Sequence, residues 1–268
     1  MKVNSYSRSG YAIGLVIYHP EATLLNRVDQ MIQLGFQVYV FDNSPFCSQF
    51  SHIIQNKPNI NYFTAGKNVG IGYSLSTLCA TAYAQGYPRL LFLDQDTGIS
   101  SKTLEFIYTF SQSLPLDIEQ EFAALVFNNH FAIDDYIKEV RLAISSGSLF
   151  NLSALREIGW HSEKYFVDCV DYEFCVRARR CGFKIGLIRN TPDFDHVTEQ
   201  PDQIFRLFGK QLLVRRYSPN RIKDALGSYL KLIIGGLFKN RLGDTYALTR
   251  SMLLYLFGQL ISRLIQSK

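Results

Sequence analysis

Leu90-Leu91-Phe92-Leu93-Asp94-Gln95-Asp96 decides how this chain is read. Four apolar residues run without a break after the turn residues Gly86-Tyr87-Pro88, and then meet two carboxylates. Such a run fits a strand buried on both faces of a parallel sheet. Acids do not continue it, because an unpaired buried charge costs on the order of several kcal/mol. The strand is therefore predicted to end at Leu93, with Asp94 and Asp96 at its carboxyl end. In extended chain, residues i and i+2 point the same way, so the two carboxylates face one spot and Gln95 turns aside. Converging anions repel unless a cation lies between them. Oxygen ligands suit Mg2+ or Mn2+, and Mg2+ takes one or two carboxylates together with substrate phosphates. A solvated loop holding two acids accounts for the same residues, and the flanking chain has to decide between the two.

Upstream, Tyr11–Tyr18 reads as a buried strand, and Pro20 stands where a helix-opening proline would. Leu24, Leu25, Val28, Met31 and Ile32 form a helical stripe that Gly35 stops. Gln37–Phe41 and Ile60–Ala65 are two more short strands, separated by an irregular stretch. The turn Gly66–Gly70 leads into a helix over Tyr73–Gln85. Downstream, a helix is expected over Ser101–Ser113, strands over Phe122–Phe127, Glu139–Ile144 and Phe183–Ile188, and a short helix capped by Ser153 and reaching Ile158. Ser145-Ser146-Gly147-Ser148 is a small-residue turn that lets a ligand approach backbone. Phe174, Ala178 and Cys181 share one face of a helix ended by Gly182. Asp168, Asp171 and Glu173 cluster at its start, where the helix dipole stabilises each acid by roughly 0.3–1 kcal/mol. This alternation specifies a doubly wound α/β domain whose sheet is largely parallel. Ligands of such sheets lie outside the carboxyl ends of the strands. Asp42-Asn43, Asn68–Gly70 and Asp94-x-Asp96 all fall on that edge.

The 268 residues are 47% hydrophobic, enough for one large domain with an ample core, and 19% charged, which excludes a disordered chain. From Asn220 onward, eight Lys or Arg face two Asp, a balance of +6, which leaves about −1 of the total +5 for the preceding 219 residues. A nucleic-acid binder carries its basic charge on its main domain, so that class is disfavoured. No G-x-G-x-x-G follows the first strand, which argues against a dinucleotide-dependent oxidoreductase. Cys79, Cys169 and Cys175 sit among apolar residues as small hydrophobes, and reduced thiols in the cytosol are the simplest account. Met1–Gly10 lacks the apolar core of a signal peptide.

Taken in order, Asp42-Asn43-Ser44, Asn68-Val69-Gly70-Ile71-Gly72, Asp94-Gln95-Asp96, Asp168-x-x-Asp171-Tyr172-Glu173-Phe174-Cys175-x-Arg177 and His196 resemble the family 2 glycosyltransferases of the GT-A fold. The Asp-Gln-Asp form and the Asp-x-x-Asp-Tyr-Glu-Phe-Cys stretch are most similar to the bacterial rhamnosyltransferase branch. The resemblance covers about residues 11 to 200. It implies a Rossmann-like, mostly parallel sheet flanked by helices, with a C-terminal helical appendage. It implies that Asp42, Asn43, Asn68, Gly70 and Gln95 surround the nucleotide. Asp94, Asp96 and His196 would hold Mn2+ or Mg2+, and Asp171 would be the catalytic base. Asp168, Glu173, Trp160 and Arg216 would support the site or touch the acceptor; for Arg216 a solvated basic turn is the competing account. The implied reaction is an inverting transfer of rhamnose from dTDP-L-rhamnose to a glycan or lipid-linked acceptor in bacterial surface polysaccharide assembly. Another nucleotide sugar, such as a galactofuranosyl or hexosyl donor, and a non-catalytic sugar-nucleotide-binding subunit are the alternatives.

The expected division is a catalytic domain over 1–217 and a basic amphipathic tail over 218–268. The tail reads as helices over Ala225–Phe238 and Thr249–Ile265. Neither supplies the roughly 20 uninterrupted apolar residues that cross a bilayer. A basic amphipathic helix lying on an anionic membrane fits the pattern, and places the protein in the cytoplasm at the inner face of the cell membrane. A hairpin packed on the catalytic domain, or on a second subunit of a homo-oligomer, is the competing account.

Overall fold

A computed structural model describes residues 10–133, 137–196, 203–207, 210–239 and 241–265; of His196, 203–207, 210–214 and 265 it describes the backbone. The elements run β1 (Ala12–Ile17), α1 (Ala22–Gln33), β2 (Val38–Asp42), α2 (Gln49–Gln55), β3 (Ile60–Thr64), α3 (Ile71–Ala84), β4 (Arg89–Asp94), β5 (Thr97–Gly98), α4 (Ser101–Ser113), α5 (Leu116–Glu121), β6 (Phe122–Phe127), β7 (Lys138–Glu139), β8 (Ser148–Asn151), α6 (Leu152–Ile158), α7 (Val170–Arg180), β9 (Lys184–Ile188), β10 (Asp195–His196), β11 (Gln203–Leu207), β12 (Lys210–Val214), α8 (Pro219–Phe238) and α9 (Leu242–Ile265). They form two compact units, Met1–His196 and Val197–Lys268.

In the first unit, eight strands make one sheet in the order β3-β2-β1-β4-β8-β6-β9-β7. The four apolar residues of the central run lie fully inside it, paired in parallel with β1 from Ala12↔Leu90 to Val16↔Asp94. Both faces are covered. One cluster holds Tyr39, Phe41, Leu75, Leu78, Leu90, Phe92 and Phe174; the other holds Ile13, Leu15, Val28, Val40, Leu91, Leu93 and Ile107. Cys79, Cys169 and Cys175 are buried, as expected of small hydrophobes.

The sheet is mostly parallel, as expected, with two strands running against the rest. β8 runs antiparallel between β4 and β6, and β7 runs antiparallel to β9. Ser148-Leu149-Phe150-Asn151 is too short for its pattern to declare a strand, and its pairing on both sides comes from tertiary context. The strand expected over Glu139–Ile144 shrinks to β7, with one further bond from Val140 N to Ile185 O. Val140, Leu142 and Ala143 pack against the core instead, so their alternation served packing and not pairing. The stretch read as irregular holds α2, whose cap is Ser48, accepting from Ser51 N at 3.1 Å. α6 is capped by Asn151 rather than Ser153; its Oδ1 accepts from the backbones of Ser153 and Ala154.

In the second unit, β11 and β12 form an antiparallel hairpin, and α8 and α9 pack together. Ser218 caps α8, with Pro219 in its first turn, as the proline's fixed φ favours. Polar and close contacts lie in the seam between the helices. Tyr229 OH lies 3.0 Å from Ser251 Oγ, and a Cβ on Gly236 would meet Thr245 Oγ1 at 2.5 Å. Leu232, Leu248 and Ile261 are buried, while other long apolar side chains are exposed: Leu230, Ile234, Leu237 and Phe238 on α8, and Leu253, Leu254, Phe257, Leu260 and Leu264 on α9. No helix among the described residues is long and apolar enough to cross a membrane.

Candidate active site

Two adjacent serines organise the carboxyl edge of the sheet. Ser145 Oγ donates to Asp171 Oδ1 at 2.5 Å. Ser146 Oγ accepts from Asp94 N at 3.2 Å and lies 2.6 Å from Thr97 Oγ1. The turn that carries them is pinned to the sheet: Gly147 N donates to Phe92 O, and Gly147 O accepts from Phe127 N, both at 2.9 Å. Gly147 has φ +78, and a Cβ there would meet the Phe194 ring at 2.4 Å, so the position requires glycine twice over. The small-residue turn is therefore a bracket between Asp171 and the β4 terminus.

Asp94 is the last residue of β4, half-buried. Burial pushes its carboxyl up to about 7, and the nearby carboxylates of Asp171 and Asp96 add to the rise; a hydrogen bond from Ser146 partly offsets it. Asp171 stands in the first turn of α7. Burial pushes it up to about 6, Asp168 adds to that, and hydrogen bonds from the side chain and backbone of Ser145 act against it. The charges of Asp171 and Asp96 thus bear on Asp94 at one end of β4. The Asp94–Thr97 turn is held from outside by Arg27 on α1, whose Nη1 donates to Thr97 O at 2.9 Å and whose Nη2 donates to Gln95 O. Gln95 turns aside, as its position predicts, and its Oε1 accepts from Tyr18 N at 2.8 Å. Arg27 escaped the sequence reading because it sits on the polar face of an amphipathic helix, where an arginine is ordinarily solvated.

At the end of β2, Asp42 is 1% exposed and fully engaged. Its Oδ1 accepts from Ser44 N at 2.8 Å; its Oδ2 accepts from Ser51 Oγ at 2.5 Å and Tyr62 OH at 2.7 Å. Asn43 joins this end to the next loop, accepting from Val69 N and donating to Gly70 O. Asn68 Oδ1 accepts from Gly70 N, closing a side-chain turn. Gly70 has φ +85, and a Cβ there would meet Phe166 O at 2.5 Å; on Gly72 it would meet Ser162 O at 2.3 Å. Ile71 N donates to that same Phe166 O at 2.7 Å. The two glycines thus admit the backbone of the 162–166 segment.

On α7, Glu173 pairs with Arg177 through both oxygens, at 2.8 and 3.0 Å. Arg177 also donates to the carbonyls of Ile158, Gly159 and Trp160. Glu173 therefore orients a neighbour that fastens the loop after α6. The Trp160 ring packs at 5.9 Å from Tyr83 of α3. His161, next in the chain, is 3% exposed, and burial drives its imidazole down to about 3; it is a neutral ring stacked on Phe174. Asp168 is half-buried just before α7. The β10 backbone pairs His196 with Thr97, one residue beyond Asp96; the side chain of His196 lies outside the described residues. Arg216 is exposed in the second unit.

Among the described residues, no group of three or more His, Cys, Asp or Glu is arranged to hold a metal ion. The donor chemistry of the β4 end fits a divalent cation nevertheless. Asp94 and Asp96 offer hard oxygens, and their mutual repulsion is what a cation completed by substrate phosphates would relieve.

No family model matches the sequence. The chain is 24% identical over 241 residues to the dTDP-rhamnosyl transferase RfbF of Shigella flexneri, covering 80% of this chain and 78% of that relative. It is 25% identical over 213 residues to the low-salt glycan biosynthesis hexosyltransferase Agl10 of Haloferax volcanii, covering 69% of this chain and 66% of that one. Among solved structures, S. aureus TarS aligns with a TM-score of 0.53 at 18% identity, over 72% of this chain and 37% of that chain. GalNAc-T7 with UDP, GalNAc and Mn2+ aligns with a TM-score of 0.52 at 13% identity, over 82% of this chain and 48% of that chain. The chain has the GT-A glycosyltransferase fold.

Proposed function

We propose that the chain is an inverting, metal-dependent glycosyltransferase that moves rhamnose from dTDP-L-rhamnose onto a glycan or lipid-linked acceptor of a bacterial surface polysaccharide. The observation that carries this reading is the serine bracket, with Asp171 on Ser145 and the Asp94 turn on Ser146. An acid that takes a proton and an acid pair suited to a diphosphate-bound cation face each other across one turn. Asp171 removes the proton of the acceptor hydroxyl as that oxygen attacks the anomeric carbon. The glycosidic bond to the diphosphate breaks on the opposite side, and the anomeric centre inverts, as in single displacements by water. A divalent cation held by Asp94 and Asp96, with His196, would supply Lewis-acid stabilisation of the leaving diphosphate. Asn43, Asn68, Gly70 and Gln95 line the approach of the nucleotide. Asp42 shapes that approach from behind, its oxygens being taken by Ser44, Ser51 and Tyr62. Asp168 and Trp160 are the candidates for the acceptor side.

Thermal-shift titration with dTDP-L-rhamnose, UDP-hexoses and the free nucleotides, with Mn2+ and with chelator, tests this. A bound donor raises stability by mass action, and only in Mn2+. The likeness to a hexosyltransferase supports a second donor, and preferential stabilisation by a UDP-hexose would replace rhamnose with it. No response to any nucleotide sugar would end the transferase reading.

The outward apolar faces of α8 and α9, among mostly basic charges, support peripheral contact with the anionic inner face of the cell membrane. The expected result is sedimentation with phosphatidylglycerol vesicles, lost on deletion of 220–268. Binding that survives the deletion would reject the tail as the anchor, and a concentration-dependent dimer without vesicle binding would point to self-association.

A further inference from the structure

The loop that leaves β6 displays two large apolar side chains in water: Phe131 is 85% exposed and Ile133 90%. Ala132 between them is buried. Single exposed hydrophobes are common and mean little, but this pair is presented by a built framework. Asn190, in a left-handed conformation at φ 58 that asparagine tolerates, accepts from Ala132 N and donates to Ala132 O, both at 2.8 Å. Its side-chain amide replaces the peptide of a neighbouring strand. Asn190 N donates to His130 O, Thr191 N to Asn128 O, and Asn128 N to Ile188 O. With the backbone fixed on Ala132, the residues on either side turn to the opposite face together. The backbone between them is held by paired hydrogen bonds at Ala132.

The position of the loop is informative. Phe127 N, the last donor of β6, bonds to Gly147 O in the turn whose Ser145 holds Asp171. β6 lies beyond β8 from β4, while β3, β2 and β1, the half suited to a nucleotide, lie on the other side. Resting on the transferase reading above, we infer that Phe131 and Ile133 form a platform for the acceptor, receiving the apolar C–H face of a sugar ring beside the base. Asn129 and His130, both exposed next to it, supply polar groups for the ring hydroxyls. In sequence Asp134 and Asp135 follow directly, so an anionic membrane is not the occupant this charge pattern selects.

The test is saturation-transfer NMR on the full chain with dTDP and Mn2+, probing methyl α-L-rhamnoside, methyl β-D-glucoside, methyl β-D-galactoside and methyl N-acetyl-β-D-glucosaminide. At least one glycoside binds the wild type. The double variant F131A/I133S binds it on the order of tenfold more weakly, with unchanged nucleotide signals. Nucleotide binding in the wild type without any glycoside binding would overturn the platform alone, as would equal glycoside binding by the variant. Loss of phosphatidylglycerol-vesicle binding by the variant, with glycoside binding intact, would reassign the pair to lipid. Absence of nucleotide binding in the wild type would remove the transferase reading and the platform together.

Discussion

The ends of β2 and β4 carry acids on the same sheet edge, and the two ends are built in opposite senses. Asp42 receives hydrogen bonds from a backbone amide, a serine and a tyrosine, and is buried because its partners are already in place. Asp94 and Asp171 have fewer donors and one another for neighbours, and their carboxyls are held above the usual range. A satisfied acid is a structural joint. Acids held together against their own repulsion retain free energy that a bound cation or an incoming proton can release. Burial alone does not separate the two cases; the inventory of donors around each carboxylate does.

The largest effect expected is on chemistry. Asp171→Asn should lower glycosyl transfer by at least about a hundredfold while leaving donor binding intact; transfer near the wild-type rate would take Asp171 out of the reactive set. Next comes the support of the β4 end. Arg27→Ala should weaken Mn2+-dependent nucleotide binding by roughly 10–100-fold, as loss of outer-shell support does, with partial recovery in Arg27→Lys. A fall in melting temperature with unchanged Mn2+ dependence would make Arg27 merely structural. The contrast is sharpest in stability. Asp42→Ala leaves Ser51 and Tyr62 without their acceptor and should cost about 1–3 kcal/mol, or about 3–10 °C in Tm. Asp94→Asn relieves repulsion and should leave Tm in chelator unchanged or raised, although it abolishes the response to Mn2+ with nucleotide. Equal losses from both substitutions would erase the distinction between the two ends.

The smallest expected effect is the dependence on pH. Asp171 must be ionised to act as a base, so kcat/KM should fall below about 6 and level off above it. Stability runs the other way. Asp94 and Asp171 bind their protons more tightly folded than unfolded. Their contribution is therefore full below the unfolded carboxylate range and is lost as pH rises through about 6 and about 7. In chelator, Tm should drop by a few degrees between about pH 5 and about pH 8, and Mn2+ with dTDP should recover more of it at the higher pH. A Tm independent of pH across that window would contradict the account of the β4 end.

Much of this edge was legible in the residues themselves. The apolar run Leu90–Leu93 announced a central strand because a fully buried strand needs no alternation, and the acids marked its end to within one residue, since β4 runs on through Asp94 paired with Val16. Period and turn chemistry located β1, β2, α3, α4 and α7 in the same way. What stayed hidden depends on distant parts of the chain. β8 is a strand because β4 and β6 lie on either side of it, and its four residues carry no pattern of their own. Ser145 and Ser146 read only as small residues, since their meaning lies in two acids, 26 positions later for one and 52 earlier for the other. Arg27 acts 68 and 70 positions away through backbone carbonyls, which no side-chain motif encodes. Gly70 and Gly72 were read through their resemblance to a ligand loop, and their close approach to the carbonyls of Phe166 and Ser162 had no signal in the sequence.

Those two glycines have a mechanical consequence. The first turn of α3 and the peptide leading toward Asp168 and Asp171 rest against each other atom to atom, with no room for even a methyl group. On the proposed transferase reading, the spacing between the nucleotide side and the proton-accepting side is a gauge set by this backbone contact. Reactants have to fit that gauge, and a chain lengthened or bulked at this seam would lose alignment long before it lost its sheet.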